Sequence, residues 1–206
     1  MHYCPVTTPL VDLWSRLQAH PQEVANGIER DLLADADGMA ERIPLLAWPL
    51  LEARRRSPQG VSAAVFQRLG ALLDAWELRF GLCGDVTGPV SVAAQTWLVQ
   101  DLHCLADLHN HFGDGNGGAW SRRGHLAETA LHATLWTGTT YADRTSQGQL
   151  QLPTAADQAM PLLLLDTPVD RVATLAPLAR RVLAEPACPS HHTLLLTEGM
   201  RRHGLS

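Results

Sequence analysis

Between Trp97 and Trp136 the sequence reads as helix, glycine-rich break, helix, and whatever fold the chain adopts must be built around that pair. Leu98, Leu102, Leu105, His109 and Phe112 recur at helical spacing and form one stripe, with His109 where an apolar residue is expected. His103, Asp107 and His111 fall on the opposite face at i, i+4 and i+8, which reads as a solvated face. Gly113 to Gly118 (GDGNGG) interrupts the helix, because glycine has the most backbone entropy to lose on ordering. A second helix begins after Gly124 and sets His125, Glu128, His132 and Trp136 along one side. A short loop makes two helices antiparallel neighbours, so His109 is expected close to His125, Glu128 and His132.

Composition then removes several function classes. The 206 residues contain no lysine, so Schiff-base enzymes and P-loop nucleotide hydrolases that depend on one are excluded. A formal net charge of -5 argues against a general nucleic-acid binder. Charged residues make up 18%, against about 25% in ordinary soluble domains, and six tryptophans must be placed. That combination points to a surface covered by another chain. The cysteines, Cys4, Cys83, Cys104 and Cys188, are far apart and form no C-x-x-C pair. With no basic start or apolar run at the N-terminus and no run of about 18 apolar residues, they read as reduced thiols of a cytoplasmic protein without a membrane span.

Three further stretches carry helical stripes: Leu13, Trp14 and Leu17; Val24, Ile28 and Leu32; and Val65, Leu69, Leu72, Leu73 and Trp76, the last capped by Ser62. Ile43-Pro44 and Trp48-Pro49 force bends. Arg54, Arg55 and Arg56 read as a solvated helix end. A second glycine-rich stretch, Gly81 to Pro89, lacks the G-x-G-x-x-G pattern of a dinucleotide site. After Trp136 the pattern changes. Gln149 to Leu152 alternates like a half-buried strand, Leu162 to Leu165 and Thr193 to Leu196 are short apolar runs, and a helical stripe from Val172 to Val182 lies between those two. This predicts a βαβ-like unit, although four-residue leucine runs read equally as helix.

Two side-chain groups have the composition of a metal centre. The first is His109, His125, Glu128 and His132, since imidazole and carboxylate suit zinc or iron, and helical pairs at i, i+3 and i+7 can meet one ion. Without metal the same group can do acid–base work, because histidine titrates near neutrality. It lacks the H-E-x-x-H and E-x-x-H patterns of known helical metal sites. In the plainer alternative, His109 is a hydrogen-bonded core histidine. The second group is Cys188 with His191 and His192, half of a zinc site at best.

The loop itself carries a resemblance. Phe112 to Gly117 (FGDGNG) is similar to the core of the Fic-type AMP-transferase motif, H-x-F-x-D-G-N-G-R-x-x-R. The resemblance implies a helix before the loop, loop amides that hold a phosphate, and a helix after it. The chain departs from the motif where the chemistry resides. Asn110 stands at the histidine position, Gly118 at the first arginine and Ser121 at the second, with Arg122 and Arg123 adjacent.

The expected fold is α+β: a mostly helical region over 1–136, then a small α/β region over 137–206. The expected function is that of an accessory or adaptor subunit. It would bind a partner protein or peptide in support of a partner enzyme, through Trp120 and Trp48 with Arg122 and Arg123. The competing expectation is a metal-dependent enzyme using His109, His125, Glu128 and His132 with zinc or iron.

Overall fold

The structure is a computed structural model that describes residues 7–34, 45–80 and 89–205. Cys4, Cys83, the Ile43-Pro44 bend and all but the last residue of the Gly81–Pro89 stretch lie outside the described residues. The fold is mostly helical, and the described residues contain one two-stranded sheet. Two compact units form, one of residues 1–79 and 100–125, the other of residues 80–99 and 126–206.

In the first unit, α1 (Thr7–Ala19), α2 (Pro21–Ala34) and α3 (Ala47–Arg56) pack on one another. Pro21 occupies the first position of α2, where its missing N–H costs nothing. The predicted stripe Val24, Ile28 and Leu32 is the buried face. The start of α3 is fixed from a distance. Asp101, fully buried, accepts backbone N–H bonds from Leu45, Leu46, Ala47 and Trp48 at 2.7–3.2 Å. These are the donors a helix N-terminus leaves without partners.

That anchor corrects the expectation for Trp48. Its two prolines do not leave it on the surface: it is 1% exposed, with its ring tilted against that of Trp14 at 4.4 Å. Arg54 is also corrected. Rather than ending α3 in solvent it is 2% exposed and ion-paired with Glu29, while Arg55 reaches Asp107 at 3.0 Å. Next, α4 (Ala63–Phe80) starts as predicted, with Ser62 Oγ accepting from Val65 N at 3.4 Å, and Trp76 is fully buried. The unit also holds the end of α5 (Val92–Phe112), the glycine loop, and the start of α6 (Gly118–Thr134).

The second unit contains the start of α5 and the end of α6. An antiparallel hairpin follows, β1 (Asp143–Arg144) with β2 (Leu150–Gln151). Asp143 Oδ1 accepts from Val92 N at 2.8 Å and so caps α5. Then come α7 (Ala155–Ala159), capped by Thr154, a 3-10 turn (Met160–Leu163), α8 (Val169–Leu183) and α9 (Ser190–Arg202). The two leucine runs read as strands are not strands. Leu162 and Leu163 lie in the 3-10 turn, and Thr193 to Leu196 lie within α9. The reason is spacing: Leu195, Leu196, Gly199 and Met200 are the buried positions of α9, at helical intervals. Within the 149–152 stretch only Leu150 and Gln151 pair as a strand, and Leu150 and Leu152 are exposed rather than half-buried.

Candidate functional site

The first unit contains a cleft of about 680 Å³ whose walls come from α4, the end of α5, the glycine loop and the start of α6. Phe66, Phe112 and Trp120 supply its aromatic surface, and Val61 and Ala71 extend it. Gln67, Asp74, His109 and Asp114 are its polar lining residues. Two glycines make this possible. A side chain at Gly70 would meet the Trp120 ring at 3.0 Å, and one at Gly113 would meet the Phe66 ring at 2.6 Å. Both rings take the room those positions leave open.

His109 holds the centre of the site. Its ring stacks on Phe66 at 4.0 Å, and Nδ1 bonds Asp114 Oδ1 at 2.8 Å. With Nδ1 donating to the carboxylate, Nε2 is the ring atom that Asp114 does not engage. Asp114 also accepts from the Asn116 backbone at 3.1 Å and the Asn116 side chain at 3.0 Å. The bond from His109, and after it those from Asn116, hold the Asp114 carboxyl well below the usual carboxylate range. The loop is tied down at both ends. Gly115 N donates to His109 O at 2.9 Å, and Gly117 N to Asn110 Oδ1 at 3.1 Å.

Trp120 is half-buried. The Arg123 guanidinium lies 4.8 Å from the Trp120 ring centre and is itself gripped by Glu77 and Asp74. Burial works against the charge on Arg123, but those two carboxylates outweigh it and raise its pKa. Arg122 is exposed beside it. Of the four residues expected to bind a partner, Trp120 lines the cleft, Arg123 braces Trp120, and Trp48 belongs to the core.

The expected metal group is divided. His109 is drawn to Asp114 and Phe66, as described. His125 is exposed and meets His103 edge to face at 4.9 Å, so His103 is not on a plain solvated face. Glu128 stands one helical turn beyond His125 on α6 and is 3.8 Å from His132 Nε2. His132 Nδ1 and the Tyr141 hydroxyl share a hydrogen bond at 2.5 Å, and Arg171 donates to the same hydroxyl at 3.2 Å. Burial pushes the Tyr141 phenol up to about 12. Glu128, His132, Tyr141 and Arg171 are not among the residues that line the first unit's cleft. Of Cys188, His191 and His192, the two imidazoles lie with ring centres 4.1 Å apart. His192 pairs with Asp157 at 3.5 Å, and the Cys188 thiol accepts from Thr193.

Sequence reasoning missed Asp114, Phe66 and Asp74 as site residues. The one signal for Asp114 was its place in the glycine loop five residues after the misplaced histidine. The order of helix, loop and helix is the one the AMP-transferase resemblance implies, and Asn110 uses its side-chain oxygen to close the loop. No protein-family model matches the chain, and no curated protein or solved structure matches it.

Proposed function

We propose that the protein is an accessory or adaptor subunit that binds a segment of a partner in the α4–α5 cleft. The observation that carries this reading is the cleft's construction: aromatic walls seated against glycines, with Trp120 locked by Arg123. A preformed apolar cleft with few, fixed polar groups is the usual form of a recognition site. Rigid walls also lower the ordering cost of binding. A chain without lysine and with 18% charged residues is suited to having such a surface covered. The test is selection of displayed random peptides on the full chain, with Trp120→Ala as the comparison. Peptides that bind the parent and lose at least about tenfold on the variant support the reading, since hot-spot aromatics cost roughly 2 kcal/mol or more when truncated. Selection that yields nothing sensitive to Trp120 removes it.

A metal-dependent reading keeps one observation within the first unit, the edge-to-face contact of His103 with His125. Imidazole ligands suit zinc or iron. Under this reading the purified protein carries about one equivalent of metal, and His125→Ala releases it. Protein that is metal-free and takes up neither ion ends this reading.

A further inference from the structure

We infer that the cleft takes a basic side chain of the partner segment, set beside an apolar residue; this rests on the peptide-binding reading above. The formal charges among its described lining side chains, the His109 imidazole aside, are the carboxylates Asp74 and Asp114. Both stand at the solvent side, with side chains 59% and 57% exposed. An occupant that covers the cleft strips water from them. An acidic segment is repelled there, and a purely apolar one strips water from the carboxylate lone pairs that Arg123, His109 and Asn116 leave open. A guanidinium or ammonium group compensates both.

Capacity for such a group is present. Asp74 meets Arg123 through Oδ1, and a carboxylate has about four lone-pair positions to share. Asp114 stays ionised because His109 and Asn116 hold its carboxyl low, so its charge persists into acid solution. The aromatic walls favour a cation as well, since a positive group over a ring face is attracted by the ring quadrupole. The structure already contains one such pair, Arg123 on Trp120. The apolar neighbour of the basic residue meets Phe66, Phe112 and Val61, which form the uncharged part of the wall.

Ala71 gives a clean probe. It lines the cleft, lies on the exposed side of α4 and takes part in none of the bonds above. Ala71→Arg and Ala71→Glu add similar bulk with opposite charge. Random heptapeptides displayed on phage are selected on the full chain, and the winners are synthesised for calorimetry at low and high salt. The expected winners pair arginine or lysine with an aromatic or aliphatic residue, and bind more weakly as salt rises. Ala71→Arg is expected to weaken them about tenfold or more, and Ala71→Glu to tighten them. Winners without a basic residue, or equal weakening by the two variants, overturn the basic-residue assignment while leaving peptide binding in place. Absence of any peptide sensitive to Trp120→Ala overturns both.

Discussion

His109 shows how far a single residue can be read. Its place on an apolar stripe marked it as unusual, but the stripe says nothing about the path of the loop after Phe112. That path returns Asp114 to Nδ1, so the partner became visible only with the backbone in place. Because the Asp114 carboxyl is held low, its contribution is present above the ordinary carboxylate value and is lost only as pH falls through the depressed one. Carboxyl-detected NMR should therefore show Asp114 titrating well below an ordinary aspartate, and His109→Gln should move its midpoint up. An unchanged midpoint would mean the imidazole is not the cause. At Gly117, any Cβ runs into the Ala106 carbonyl oxygen, part of a helix backbone that cannot swing aside. Gly117→Ala should cost about 1–3 kcal/mol in urea unfolding, and a variant as stable as the parent would contradict the loop geometry.

At the scale of elements, the long amphipathic stripes were legible and the short runs were not. Val24 to Leu32 and Val65 to Trp76 repeat their spacing often enough to fix a helix and its buried face. Four consecutive leucines carry no period, so Leu162 to Leu165 could not announce a 3-10 turn. The start of α3 was equally hidden, because its cap comes from Asp101, more than fifty positions away. Burial pushes the Asp101 carboxyl up to about 6 from 3.8, against the pull of the four backbone N–H groups. With the folded value above the unfolded one, the folded chain holds the proton more tightly. This contribution favours the fold most at low pH and is lost as pH rises from 3.8 toward about 6. Stability of the parent should therefore fall over that window relative to Asp101→Asn, and parallel curves would refute the assignment. At neutral pH, Asp101→Ala should cost about 2 kcal/mol or more, since several buried donors lose their acceptor.

For the whole molecule, composition sets an expectation that residue pattern does not. The absence of lysine and the scarcity of charge pointed to a covered surface before any site could be drawn. What composition could not do was choose among the tryptophans. Trp48 and Trp76 went to the core, while Trp120 became a cleft wall because Gly70 leaves room for its ring. The central claim is that this cleft is where a partner segment sits. Fluorotryptophan NMR of the full chain tests it most directly, with the Trp120 resonance assigned by Trp120→Phe and a selected peptide added to saturation. The account predicts that the Trp120 resonance shifts while those of Trp48 and Trp76 stay in place; a saturating peptide that leaves Trp120 unmoved would contradict it.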